Sequence, residues 1–462
     1  MNLGCNTACK GPGCEAEWPT TRVVVHDDDS LRRSTDAWSD AIASYDGLDA
    51  HGARWRLATL GRTLLFGQPE VGQVLRVPFR LSDGPWERLD KWTGPKGFGA
   101  AVAGIDDFDE GAPALLVGAP DAEFGRGAVY VFPDATSGPM DADDAPLEIR
   151  GGTTGDRLGE HLEICADLTG DGRPEILVSM PWFTTPTDPL FRGLEVPDLA
   201  GGVVMLTSEA LLAATGVVSA WDLGPVWWGV RVGDGAGLAL ACDHDLDGDA
   251  VTDVAIGAPW HEPNDSDDNQ GRVYVLSGAA LPPTGPLDAD SMLTVIDGEP
   301  GEWLGLSLAM LELDGELPAE LAVGGPGYDG GAGRLHIYQA QSLTREFAVE
   351  PLVTFTYSDD SPDHFGRWLA AGDLDADGLS DLLVGAPDLQ SGRNGFDTGR
   401  AWTFRGASRD LWLPDDTQVI ADERVLGNHA FQRVGRAPVL HDLDGDGRDE
   451  VLLPTRREAR QD

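Results

Sequence analysis

The residues of this chain best suited to chemistry are acidic, and they sit in short turns. Asp245-Leu246-Asp247-Gly248-Asp249-Ala250-Val251-Thr252-Asp253 sets carboxylates at positions 1, 3, 5 and 9, with the Val251 carbonyl at position 7. A hard divalent cation takes six to eight oxygens at roughly 2.3–2.6 Å, and a tight turn with alternate side chains pointing inward supplies about five of them. Calcium fits that donor set best. The spacing returns at Asp373, Asp375, Asp377, the Leu379 carbonyl and Asp381, and again at Asp442, Asp444, Asp446, the Arg448 carbonyl and Glu450. A fourth copy, Asp167, Thr169, Asp171, the Arg173 carbonyl and Glu175, trades one carboxylate for a hydroxyl and is expected to bind more weakly. Asp and Gly also favour solvated hairpins that hold no metal. Against that reading, four carboxylates in nine residues repel one another without a cation, and three such clusters recur in phase.

An EF-hand would place a bidentate Glu at position 12 between helices. Position 12 here is Ile256, Val384 or Leu453, each inside an apolar strand pattern. Two related turns depart from the pattern and are expected to hold no ion: Glu312-Leu313-Asp314-Gly315-Glu316, with Pro318 close by, and the shortened Asp107-Phe108-Asp109-Glu110. Ligands drawn from one hairpin fix that hairpin, with no reacting group gathered at an open coordination position, so the expected role of the ion is structural.

The turns are positioned by a repeat. Its clearest copy runs His364-Phe365-Gly366, an apolar stretch, the Asp373 turn, Asp381-Leu382-Leu383-Val384-Gly385-Ala386-Pro387, a loop, and Gly399 to Phe404. It reads as strand, acidic turn, strand, loop, strand. Leading glycines recur at Gly99, Gly159, Gly237, Gly305, Gly366 and Gly435, and a degenerate copy without the acidic turn begins near His51-Gly52. Second strands close on Gly118-Ala119-Pro120, Ser179-Met180-Pro181, Gly257-Ala258-Pro259, Gly324-Gly325-Pro326 and Gly385-Ala386-Pro387. Leading glycines, counting Gly52, lie 47 to 78 residues apart, room for a four-stranded antiparallel unit that cannot bury both faces alone. Such units stack openly or close into a ring. The last copy stops after its second strand, while two strand candidates, Thr21 to His26 and Trp38 to Ala43, precede the first. Pairing these ends predicts an all-β, seven-bladed propeller of four-stranded antiparallel blades over residues 21–462, behind a tail at 1–20.

Phe-Gly opening a copy and Gly-Ala-Pro closing its second strand, with Asp-x-Asp-x-Asp-Gly between, resembles the FG-GAP repeats of integrin alpha-subunit heads and their bacterial relatives. The resemblance runs from about Thr21 to the end. It implies a propeller with calcium in some turns and partner binding on one face, not catalysis.

Composition sets bounds on partners. Lys plus Arg is 33 against 78 Asp plus Glu, a net charge of −45 that repels phosphate backbones and so argues against nucleic acid. No apolar run reaches the ~18 residues of a membrane span; the stretch from Ala210 to Trp221 is short and broken by Gly216. Cys5, Cys9 and Cys14 crowd the N-terminus, where Leu3-Gly4-Cys5 loosely matches a lipoprotein signal, with Cys5 as a candidate lipid anchor and Cys9 and Cys14 as a candidate disulfide pair. Cys165 and Cys242 stand alone in apolar strands and read as small buried hydrophobes.

Loops at 182–201, 260–271, 327–333 and 388–399 emerge opposite the acidic turns and vary most, which suits recognition. Trp182, Trp260 and Tyr328 follow the closing proline and are expected along one arc of that rim, either anchoring a partner or packing blade against blade. Asp265, Asp267 and Asp268 read as a solvated charge run. The rival class is a carbohydrate-active propeller, a hydrolase or lyase with its site on the loop face or in the central channel. His161, His244, His261, His336, His364, His429 and His441 occupy scattered phases, and no His-Glu-x-x-His or Gly-x-Ser-x-Gly occurs. The expectation is therefore a secreted or surface-tethered calcium-binding adhesion module for a protein or glycan, with no enzymatic activity.

Overall fold

The structure, a computed structural model, describes residues 20–26, 43–49, 56–79, 90–109, 111–133, 140–184, 196–263, 268–288, 292–315, 317–339, 343, 349–356, 363–388, 398–406, 423–426 and 433–456. Cys5, Cys9, Cys14, Asp265, Asp267 and His429 lie outside the described residues. Among the described residues, no helix is long and apolar enough to cross a membrane.

The Asp373 repeat shows how the local sequence becomes a blade. Trp368–Gly372 runs antiparallel to Asp381–Ala386, with Trp368 opposite Gly385 and Gly372 opposite Asp381. Arg400–Phe404 and then Glu423–Leu426 complete the sheet. All six residues of Asp381–Ala386 are buried, which requires cover on both faces. That cover comes from the neighbouring sheets. Seven sheets of four or five strands form among the described residues. Consecutive sheets share apolar clusters, for example Leu382, Val384 and Trp402 with Leu311 and Ile337 of the preceding sheet.

The two chain ends meet in one sheet. Thr20–His26 lies between Glu450–Arg456 and Ala43–Asp49, antiparallel to both, and Val439–His441 completes the order. Leu443 and Leu452 of this sheet share a cluster with Leu64, Phe66, Leu75 and Val77 of the sheet that begins at Arg56. Arg62 adds a polar tie, its Nε donating to the Leu443 carbonyl at 2.9 Å. One cavity of about 1050 Å³ is lined by Leu57, Val102, Leu162, Leu240, Leu308, Leu369 and Leu440, one from an edge strand of each of the seven sheets.

Three expectations are corrected. The second N-terminal strand is Ala43–Asp49, not Trp38 to Ala43, and 38–42 lie outside the described residues. Ala-Ser-Tyr-Asp-Gly-Leu-Asp carries little β signal, and its backbone is recruited by pairing with Thr20–His26 rather than by propensity. Three sheets have five strands, because Met140–Asp141, Gly216–Ser219 and Gly285–Pro286 each add a short parallel strand to an outer edge. Covering an exposed edge in this way removes a template for aggregation. Finally, Cys165 and Cys242 form a disulfide, with Cα atoms 4.9 Å apart. Each follows the first strand of its sheet, so thiols 77 residues apart in sequence become neighbours only when two sheets pack. Spacing within one strand carries no trace of that.

The repeat motif has a packing cause. A side-chain carbon at Gly257 would strike the Gly305 carbonyl oxygen, and one at Gly385 would strike that of Gly435. The glycine closing the second strand of one sheet thus lets the leading glycine of the next approach its backbone.

Candidate metal turns and the opposite rim

Each acidic turn is shaped first by its own carboxylates. In the Asp245 turn, Asp245 Oδ1 accepts the Gly248 N–H at 2.6 Å and Oδ2 accepts the Ala250 N–H at 2.7 Å. Position 4 and position 6 are left-handed in all four copies: Gly248 and Ala250, Ala376 and Gly378, Gly445 and Gly447, Gly170 and Gly172. That curl turns successive side chains inward. The last carboxylate locks the base, since Asp253 Oδ2 accepts the Leu246 N–H at 2.7 Å; Asp381 does the same for Leu374 at 2.9 Å and Glu450 for Leu443 at 2.8 Å.

The result is three trios of carboxylates: Asp245, Asp247 and Asp253; Asp373, Asp375 and Asp381; Asp442, Asp444 and Glu450. Within each trio, one oxygen per residue lies within 4.8 Å of the others. The position 5 acids, Asp249, Asp377 and Asp446, are exposed and instead accept the N–H groups of Val251, Leu379 and Arg448 at 2.8, 2.9 and 3.0 Å. The Asp167 turn forms no such trio; Thr169 Oγ1 donates to Glu175 Oε1 at 3.1 Å.

Electrostatics separate the positions. Burial pushes the Asp253 carboxyl up to about 7, with Asp247 and Asp245 adding to the shift. Burial likewise raises Glu450 to about 7 and Asp381 to about 6. Glu175 is raised for the same reason. Burial also acts on Asp167, but there the N–H groups of Gly172, Gly170, Asp171 and Thr169 outweigh it and hold the carboxyl below its ordinary range. Clustered, partly buried oxygens whose charged forms are disfavoured fit a divalent cation, which relieves both repulsion and desolvation.

Antiparallel strands alternate ends, so the loops after the second strands lie on the opposite rim. Trp182 and Trp260 stack there at 5.4 Å between centroids, 23° apart, and both are half-buried. Both line the large cavity, together with Arg157, His161 and Arg367. Tyr328 does not join them: the Arg334 guanidinium sits over its ring at 3.3 Å. Arg334 is drawn to that place by Glu299 at 3.0 Å and buried Glu302 at 3.6 Å.

Sequence reasoning missed a second set of acids. Asp156, Asp234 and Glu302 are buried and accept the N–H of the residue three before each, Thr153, Arg231 and Glu299, at 2.6, 2.8 and 2.7 Å. His261 pairs with Asp234 at 2.9 Å and His336 with Glu302 at 2.8 Å, both histidines buried. The signal was present: an acid precedes the leading glycine by three residues in four copies, Asp363 included.

Comparison with known proteins now bears on this geometry. The FG-GAP repeat family matches residues 236–276 and 365–404, which contain the Asp245 and Asp373 turns. Two FG-GAP repeats are thus found in this chain, and integrin alpha subunits are among the proteins it is similar to. Integrin alpha-PS2 of Drosophila melanogaster is 28% identical over 313 residues, covering 63% of this chain and 21% of that protein. Phosphatidylinositol-glycan-specific phospholipase D of Homo sapiens is 27% identical over 406 residues, covering 78% of this chain. The chain spans 44% of the length of that relative. A solved structure described as "Structure of Dos1 propeller" is similar with a TM-score of 0.41 and 11% identity, over 74% of this chain and 67% of that one.

These relatives correct the expectation of a non-enzyme, because those matching 78% of the chain include proteins named as a phospholipase, beside integrin alpha-8 of Homo sapiens over 79%. The physical reason is that motif searches find catalytic groups only where they adjoin in sequence.

Proposed function

We propose that this chain is a calcium-stabilised, closed seven-bladed propeller that works outside the cell as a recognition module of the adhesion type. The observation that carries the reading is the recurrence of three carboxylate trios at one phase of an integrin-alpha-like repeat. Calcium is held by positions 1, 3, 5 and 9 with the position 7 carbonyl, in the Asp245, Asp373 and Asp442 turns and more weakly in the Asp167 turn. The shared cluster of first and last sheets supports closure. The buried Cys165–Cys242 bond supports an oxidising, extracellular location.

The rim opposite the metal turns carries the ligand site, with Trp182 and Trp260 at the mouth of the cavity as its anchors. The integrin alpha relatives favour a protein ligand over a glycan. Surface plasmon resonance against a panel of matrix proteins, run beside a glycan array, tests this. A protein ligand lost on Trp182→Ala and Trp260→Ala, and kept on Tyr328→Ala, supports the reading. Binding that ignores both tryptophans contradicts the assignment of the rim.

A second reading follows from the phospholipase relatives and from the cavity, whose lining places His161 3.2 Å from Glu163 beside Arg157. In this reading the chain contributes to cleavage of a phosphatidylinositol-glycan. Release of a phosphatidylinositol-glycan-anchored reporter from vesicles, abolished by His161→Ala, would favour it, and no release would sink it.

A further inference from the structure

In the Asp245 and Asp373 sheets the residue just after the third strand faces the acidic turn: Ser277, hydrogen-bonded to Asp247, in the first and Arg405 in the second. The equivalence is fixed by the backbone: the Gly278 N–H donates to Asp253 Oδ1 at 2.9 Å, and the Gly406 N–H to Asp381 Oδ1 at 2.7 Å. The Asp245 turn therefore meets a neutral hydroxyl where the Asp373 turn meets a guanidinium. Arg405 Nη1 lies 3.0 Å from Asp381 Oδ2 and 3.3 Å from Asp375 Oδ2. Those are two of the three carboxylates whose oxygens converge in that turn. The Arg405 side chain is 15% exposed and Asp381 only 1%, so solvent screens the pairing little.

We propose that Arg405 is a tethered cation for the Asp373 turn, neutralising it in the absence of metal and competing with calcium for Asp375 and Asp381. The proposal rests on the calcium reading of these turns and deepens it. A guanidinium does not lose its proton in proteins, so it cannot yield by neutralising itself. Calcium entering between Asp375 and Asp381 must push the side chain away, and no such step opposes it beside Ser277. The Asp373 turn is then a weaker calcium site than the Asp245 turn although both carry the full carboxylate count, and it keeps its shape better under chelation.

The test uses the full chain. Calcium titration calorimetry on the parent should show a weaker step abolished by Asp373→Asn and a tighter step abolished by Asp245→Asn. Arg405→Ser, which installs the residue of the Asp245 blade, should tighten the weak step by about tenfold or more. Arg405→Gln keeps the stem packing without the charge and should do the same, while Arg405→Lys should stay weak. Thermal melts add a second readout: in chelator Arg405→Ser should melt below the parent, and in excess calcium that deficit should close or reverse. Unchanged calcium affinity in both neutral variants, with the tighter step still present, overturns the competitor role alone. Absence of calcium heat at every turn overturns the calcium reading, and the proposal with it.

Discussion

Asp253, Asp381 and Glu450 each carry two opposing demands, to lock the base of a turn and to offer charge to an ion. Burial raises them to about 7, 6 and 7, against about 4 in an unfolded chain. Without metal, the folded state therefore binds more protons than the unfolded state across this interval. The stability that protonation contributes is complete below about pH 4 and is lost as pH rises through about 7. Calcium needs the ionised carboxylates, so its stabilisation grows over the same interval. The rise in melting temperature on adding calcium should thus be larger at pH 7.5 than at pH 5.5, measured by differential scanning fluorimetry. An equal rise at both values contradicts the assignment of these carboxylates. Asp253→Asn should weaken calcium binding at its turn by about tenfold or more and also cost about 1–3 kcal/mol without calcium, because the amide can accept only one of the Leu246 and Gly278 N–H groups that the carboxylate holds.

The β elements and their connecting turns were the most legible part of the sequence, for a physical reason. An acidic turn is local, and its ligands are nine consecutive residues, so spacing alone predicts that Asp245, Asp247 and Asp253 converge. The Gly-Ala-Pro glycine was legible as a pattern, yet its cause, contact with the next sheet, appears only in three dimensions. Gly385→Ala should cost about 2 kcal/mol or more, since backbone rather than a flexible side chain opposes the new methyl. Gly285→Ala, where the closest atom would be the Pro283 carbonyl oxygen at 3.6 Å, should change stability by less than about 0.5 kcal/mol, read by urea denaturation. Equal losses at the two positions would remove the packing explanation. What the sequence hid was whatever joins elements distant in the chain. Arg405 reaching Asp381, Tyr328 held under Arg334 and the Cys165–Cys242 bond all depend on which strand comes to lie beside which.

At the scale of the molecule, the chain ends are tied by a strand ladder, and two neighbouring sheets by a disulfide. Thr20–His26 pairs with Glu450–Arg456 over six residues. Val24→Pro removes a ladder donor at its middle. In a closed ring this substitution should lower the melting temperature of the whole protein in one transition, whereas a separate early transition at the termini would indicate an open stack. The Cys165–Cys242 bond closes a loop of 77 residues, and Cys165→Ser with Cys242→Ser should lose about 2–4 kcal/mol, most of it without change in calcium affinity. If each ion binds only the folded chain, free calcium at one hundred times the dissociation constant adds about 2.7 kcal/mol per site. The most direct measurement is therefore a calcium titration by calorimetry paired with melts in calcium and in chelator. The account predicts binding heat that disappears step by step with Asp245→Asn, Asp373→Asn and Asp442→Asn, and a clear fall in melting temperature on chelation. No heat, together with identical melts in calcium and chelator, would contradict it.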